Sequence, residues 1–313
     1  ATRDARVRVL HTRNGGLSDA RHAGIAASHG DLLMFVDSDD ELAAGTIEAA
    51  MKTMEEDEAC DIAEFGVLRV SRSSDDKEVR TCSKPVDGSC SNKPLFLEGE
   101  LVFDPQTVSE THYADMRLYW LRTRAYTHSY AWNKIYRRWL FQDVRYPVGR
   151  VFEDMFTLPQ LLLRARRLRI MPHGCYIYHI NSSGITAHAD HDASMTAVLL
   201  TASMEAWRVL DIDNAPRAER KLQDLYYMHI LNIQITTYLL GCKQGVASKQ
   251  GLMFQQGEAS QQGEASTKGV VLPMRRVVPW HLPRRFVLKA FALHLLGVEG
   301  VCKLFTCLKA RRV

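Results

Sequence analysis

Apolar residues along this chain recur with two different periods. Val7 and Val9 alternate with polar neighbours, as a strand would, and Asn14-Gly15-Gly16 is a turn signal leading into a short helix. Ser18 is placed to cap that helix, whose body runs from Asp19 to Ser28 and ends at Gly30. The continuous apolar run Leu32-Leu33-Met34-Phe35-Val36 predicts a fully buried parallel strand, completing a strand-helix-strand unit. Ile47, Ala50, Met51 and Met54 follow at helical spacing, and Asp61 to Val70 reads as a further strand. This alternation predicts an α/β, Rossmann-like layered domain.

Residues Ser71 to Lys93 are rich in Ser, Asp, Lys and Cys and predict a surface excursion. Met116 to Arg169 mixes aromatic with basic residues, and Leu168 to Tyr178 reads as a strand pair or a sheet edge carrying exposed polar tips at Tyr176, Tyr178 and His179. Beyond His191 the pattern turns helical, Leu222 to Leu240 having apolar residues on most turns. The tandem hexapeptide QQGEAS at Gln255 to Ser266 is polar throughout and suits a linker. Four regions are therefore expected: an α/β core over 1–190, a helical region over 191–250, the repeat linker over 251–269, and a basic amphipathic tail over 270–313.

Composition changes this picture little. With 46% hydrophobic and 24% charged residues the 313-residue chain is an ordinary globular one, which excludes disorder for most of its length. The net charge of +4 favours anionic partners such as phosphates or lipid headgroups and gives no case for nucleic acid. Seven cysteines without CxxC spacing indicate neither a disulfide framework nor a zinc site, so a reducing cytoplasm is expected. Residues Ala1 to Arg8 contain no secretory signal. Phe286 to Leu308 is interrupted by Lys289, His294, Glu299 and Lys303, so it reads as amphipathic, suited either to the inner face of an anionic membrane or to packing as an internal helix on the α/β core.

Asp37-Ser38-Asp39-Asp40 follows the buried strand, which sets carboxylates at a strand's carboxyl end, where open α/β sheets bind ligands. Such hard oxygen ligands suit Mn²⁺ or Mg²⁺, while an acidic turn capping the next helix explains them equally well. The dehalogenase-type phosphatase pattern, which needs a Thr soon after its DxD, is not met by Asp40-Glu41-Leu42. Gly15 and Gly16, with Arg21 one turn on, can offer backbone N–H groups to a phosphate. Glu153 and Asp154 open an apolar helical segment, either as favourable N-terminal charge or as a general base. Trp132-Asn133-Lys134 suits sugar stacking and polar recognition, or one face of an amphipathic helix.

Taken in order, Asn14 to Arg21, Gly30-Asp31 with Phe35 to Asp40, Trp132 to Arg137, and Tyr146 to Asp154 resemble blocks of family-2 glycosyltransferases, the later two those of bacterial polysaccharide-synthesis members. The resemblance covers roughly residues 7 to 188. It implies a GT-A fold, whose opening strands and Asp-Asp-Gly-Ser segment would be missing before Ala1. It further implies a UDP-sugar or similar donor, a saccharide or lipid-linked acceptor, and inversion at the anomeric carbon. By position, Asp37 and Asp39 match the metal- and donor-binding DxD, Asp154 the catalytic base, and Asn14, Gly16 and Arg21 the donor side. Trp132, Asn133, Lys134 and Glu153 fall on the acceptor side. Tyr178, His179 and Asn181 lie where relatives carry a Tyr-Arg-type stretch, of which only the Tyr is shared. His22 departs from the family's Asn. The alternative reading is a transferase-like domain without activity, acting as a basic membrane-surface or partner-binding module.

Overall fold

The computed structural model describes residues 4, 6–71, 99–181 and 192–243, with 292, 295, 296, 300 and 301. The chain divides into two compact units, Ala1–Ser182 and Ser183–Val313. The first is a mixed α/β unit. In chain order its elements are α1 (Leu17–Ala27), β1 (Leu32–Met34), β2 (Glu41–Leu42), α2 (Thr46–Glu56), β3 (Ile62–Ser71), β4 (Gly99–Phe103), β5 (His112–Tyr113), α3 (Met116–Arg122), β6 (Lys134–Arg137), α4 (Glu153–Arg164) and β7 (Leu168–Ile180).

Its seven strands form one sheet in the order β1-β6-β3-β7-β2, with β4 also pairing β3 and β5 pairing β7. The long central pair, β3 with β7, is parallel, and the other pairs are antiparallel. The core lies along it: Ile62, Ala63, Phe65, Leu168 and Tyr176 have no exposed surface. The pair changes register between Glu64 and Gly66, where β7 runs from Ile170 to Cys175. A Cβ on Gly66 would stand 3.1 Å from Pro105 Cδ, so a side chain here would push the chain following β4 back by a few tenths of an ångström. Gly174, at φ 97°, supplies the left-handed residue that the irregularity in β7 needs. The start of α2 docks beside it, Thr46 Oγ1 accepting from Cys175 N at 3.0 Å.

Several sequence expectations need correction. Val7 and Val9 are 54% and 64% exposed and join no strand among the described residues, because alternation without a neighbouring ladder does not hold a strand. Leu32–Met34 pairs antiparallel with β6 instead of forming a parallel strand, and Val36 beyond it is 49% exposed. Ser18 lies inside α1, whose N-cap is Gly16; its hydroxyl donates to Pro147 O at 2.8 Å. Lys134–Arg137 is a strand and not a helix face, and β7 is interior to the sheet, not an edge.

In the second unit α5 (Ala193–Val209) is capped by Asp192, and α6 (Arg220–Lys243) packs on it. Trp207 stacks on Tyr226 at 5.3 Å, and the Tyr226 hydroxyl donates to Ser203 O. No described helix is long and apolar enough to cross a membrane. Of the excursion Ser71 to Lys93, Ser71 ends β3 and residues 72–93 lie outside the described residues, as do the hexapeptide repeat and most of the basic tail.

Candidate active site

The Asp37–Asp40 loop leaves β1 and is fixed from below by β7. Tyr176, fully buried, accepts a hydrogen bond from Asp37 N at 3.0 Å and donates one to Asp40 Oδ2 at 2.9 Å. His179 N donates to Asp40 Oδ1 at 2.9 Å. Asp40 is thereby committed to holding the loop, while Asp39 is exposed and Asp37 half-buried. Asn181 Nδ2 stands 3.4 Å from Asp39 Oδ2, and His179 Nε2 3.1 Å from Glu41 Oε1. Burial lifts both Asp37 and Asp40 above the usual carboxylate range; Arg21 counteracts this at Asp37, and the His179 N–H and the Tyr176 hydroxyl do so at Asp40.

A second set of carboxylates is delivered by the opening of α4. Gly149 at φ 73° and Phe152 at φ 57° turn the chain so that Glu153 and Asp154 occupy the first helical turn. A left-handed phenylalanine costs on the order of 1 kcal/mol, a strain held here by the packed helix that follows. Glu153 is 7% exposed and forms an ion pair with Arg21, itself 6% exposed. The Arg21 guanidinium lies 4.9 Å over the Tyr146 ring, with Nη2 3.9 Å from Asp37 Oδ1. One buried cation therefore ties α1, the loop after β1 and the start of α4 together.

Asp154 is left without that partner. Its Oδ1 accepts from Met155 N at 2.9 Å. Burial, reinforced by the Glu153 charge and opposed by Arg21, pushes its carboxyl up to about 7. A carboxylate poised near neutral pH is what proton abstraction from a hydroxyl requires.

The third part is aromatic and polar core. Trp132, 6% exposed, stacks on Tyr130 at 4.3 Å and on Tyr176 at 4.0 Å. Two rings so near one indole centroid would overlap on a single face, so they cover opposite faces, and the face expected to receive a sugar is occupied. Asn133 and Lys134 have no exposed surface. Lys134 Nζ pairs with Glu64 Oε1 at 2.9 Å and donates to Asn133 Oδ1 and Tyr130 O. Asn133 Nδ2 and the Tyr119 hydroxyl donate to the same carboxylate. Asn133 and Lys134 are thus spent on a buried polar network around Glu64.

Of the donor-side residues, Asn14 Oδ1 accepts from Gly16 N at 3.2 Å, a local turn that shapes the exposed entry to α1. Gly16 takes φ 87°, open only to glycine without strain. Arg21 faces inward, toward Glu153 and Asp37. Tyr130, Tyr176 and Asp40 carry much of the arrangement and were not among the expected site residues. Asp40 adjoins the DxD, the weak signal that pointed to it, whereas Tyr176, expected as an exposed polar tip, is fully buried.

Among the described residues no group of three or more His, Cys, Asp or Glu side chains is arranged to hold a metal by itself. Asp37 and Asp39 nevertheless fit a hard divalent ion that completes its coordination with ligand oxygens and water, since both are carboxylates and Asp39 is open to solvent.

Residues 1–99 match the family described as Glycosyl transferase family 2. An uncharacterized glycosyltransferase EpsJ of Bacillus subtilis (strain 168) is 30% identical over 196 residues, covering 59% of this chain and 48% of the relative. Glycosyltransferase GlyA of Streptococcus pneumoniae serotype 4 is 25% identical over 208 residues, 64% of this chain and 27% of the relative. A putative glycosyltransferase EpsH of the same Bacillus is 25% identical over 190 residues, 59% and 48% respectively. The chain thus spans about half or less of the length of these relatives.

Proposed function

Because its first 99 residues match the family described as Glycosyl transferase family 2, we propose that this chain transfers a sugar from a nucleotide diphosphate, a UDP-sugar by resemblance, to a saccharide or lipid-linked acceptor on a GT-A-type fold. The observation that supports it most is the junction at Arg21, which joins the Asp37–Asp39 loop to the helix start bearing Asp154.

Asp37 and Asp39 would hold Mn²⁺ or Mg²⁺, which when bound neutralises the leaving diphosphate. Asn14 and Gly16, at the positive end of α1, face the donor side. Asp154 accepts the proton of the acceptor hydroxyl while that oxygen attacks the anomeric carbon and the bond to the diphosphate oxygen breaks, inverting the configuration. Glu153 is withheld from this step by its pairing with Arg21, and the side chains of adjacent helical residues diverge by about 100°. The basic residues from Lys268 onward, together with the exposed Leu295 and Leu296, suit an anionic membrane surface where a lipid-linked acceptor would be met.

The test is UDP release by the full chain from a panel of UDP-sugars, with Mn²⁺ and with chelator. Metal-dependent release is expected. Absence of both release and nucleotide binding, or turnover of a generic phosphomonoester instead, would overturn the reading.

A further inference from the structure

A cleft of about 360 Å³ is lined by the end of β4, the turn that follows it and the chain leaving α3. Its volume falls in the range of small-molecule sites, and none of Asp37, Asp39 and Asp154 lines it. Phe103 and His128, both buried and stacked at 4.6 Å, form the aromatic part of its wall.

Two short turns set its charges. Asp104 caps the 3-10 turn Pro105–Thr107 through Oδ1, which accepts from Gln106 N at 2.9 Å, and its Oδ2 has no hydrogen-bond partner among the described residues. Arg124, at φ 57°, turns the chain from α3 into the 3-10 turn Ala125–Thr127. This residue is exposed and makes no ion pair among the described residues, whereas Arg122 beside it is paired with Glu110. One anion and one unpaired cation therefore border the same space.

The hydroxyls add a direction to this. Thr107 Oγ1 donates to Asp104 O at 2.8 Å, Thr123 Oγ1 to Tyr119 O at 2.7 Å and Thr127 Oγ1 to Arg124 O at 2.9 Å. A hydroxyl has one proton, so each of the three has only lone pairs left for a ligand. Burial pushes the His128 ring down to about 4, which leaves it neutral at pH 7 and unable to repel a cation. A plain oxyanion would meet these lone pairs and the Asp104 charge. A ligand carrying both an ammonium and a carboxylate would find a partner for each.

We propose that this cleft binds a small zwitterion of the α-amino-acid type, its ammonium on Asp104 and its carboxylate on the Arg124 guanidinium. The planar guanidinium fork matches a carboxylate, and Val102, Val108 and Phe103 line space for an apolar side chain. The site lies outside the transferase reading and does not depend on it.

The experiment uses the full chain with L-serine, L-leucine and L-phenylalanine as probes, each also as its N-acetyl form, which lacks the ammonium, and its methyl ester, which lacks the carboxylate. Saturation-transfer difference NMR titrations should show binding of at least one free amino acid, with both blocked forms about tenfold weaker or more, as loss of a charge-assisted hydrogen bond implies. Asp104→Asn keeps an equally good capping side chain; it should weaken the free amino acid about tenfold and change the N-acetyl form less than about twofold. Arg124→Gln should do the same for the free amino acid while leaving the methyl ester within about twofold. No binding of any free amino acid, blocked forms that bind as well as free ones, a variant that binds like the unmodified chain, or an equal loss of free and blocked forms in either variant would each overturn the site.

Discussion

Replacing Asp154 by Asn should abolish transfer and at the same time make the protein more stable, two opposite effects with one electrostatic origin. The carboxyl is lifted from its ordinary 3.8 to about 7, chiefly by burial. With an apparent pKa of about 7, roughly one molecule in ten carries the free base at pH 6 and nine in ten at pH 8, so kcat/KM should rise about tenfold across that interval and level off above it. The Asn variant has no base to titrate, so its rate should fall about 10² to 10⁴ below the plateau and lose this pH dependence. For stability, a folded-state pKa above the unfolded value means that the native state holds its proton more tightly. Stability is therefore lost as pH rises from about 4 through about 7 and is constant beyond. The full shift corresponds to about 4 kcal/mol, which access of water to a half-buried group reduces to on the order of 1–2 kcal/mol. UDP release with an acceptor glycoside, followed from pH 5.5 to 9, and thermal unfolding of both proteins at pH 4.5 and pH 8 would measure the two effects. A variant with near-normal transfer, or one whose stability relative to the unmodified chain is the same at both pH values, would refute this account of Asp154.

Asp39→Asn should remove the Mn²⁺-dependent part of UDP binding in calorimetry while leaving the thermal transition in place, since Asp39 is exposed. Tyr176→Phe deletes one donated and one accepted hydrogen bond at the Asp37–Asp40 loop; it should cost about 1–3 kcal/mol in chemical denaturation and weaken Mn²⁺-dependent UDP binding, with the sheet unchanged by circular dichroism. Lys134→Met removes the cation paired with the fully buried Glu64 and should destabilise by about 3–5 kcal/mol. Adding Glu64→Gln to it should recover a large share of that loss in urea titrations, as removing the whole pair does not strand a charge.

The helix α2 and the strand β3 were legible because their apolar pattern is local and agrees in part with the faces they bury, as with Ala50 and Met54, whereas α1 was legible from the turn before it and buries the polar Ser18 and Arg21. β6 was harder. Lys134, Ile135 and Tyr136 are all buried, so the period-2 signal of a strand is absent, and a lysine in the core looks like a surface residue until Glu64 is seen beside it. Arg21 poses the same problem: its partner Glu153 stands 132 positions away, and no local pattern announces the contact. The carboxylates Asp37, Asp39 and Asp154 were legible as motif positions. What the sequence could not supply was their division of labour, with Asp40 spent on Tyr176, Glu153 on Arg21, and Asp154 left unpaired by either. Trp132 was singled out for its ring, yet what decides its role is that both faces are covered, a property of its neighbours.

The parallel pairing of β3 with β7 sets the order in which this chain can be made. Ile62 meets Leu168, and Ser71 meets Ile180, so the longest ladder of the sheet closes only after a large loop has been drawn in, at an entropic cost that delays it relative to local helix formation. During synthesis β3 leaves the ribosome well before its partner exists, and at about 5–20 residues per second the wait lasts several seconds. Through that interval an apolar strand containing Ile62, Phe65 and Val67 offers an unsatisfied edge. Chaperone demand should therefore concentrate on nascent chains shorter than the end of β7, and a truncation just before Leu168 should be far more prone to aggregation than one just after Ile180.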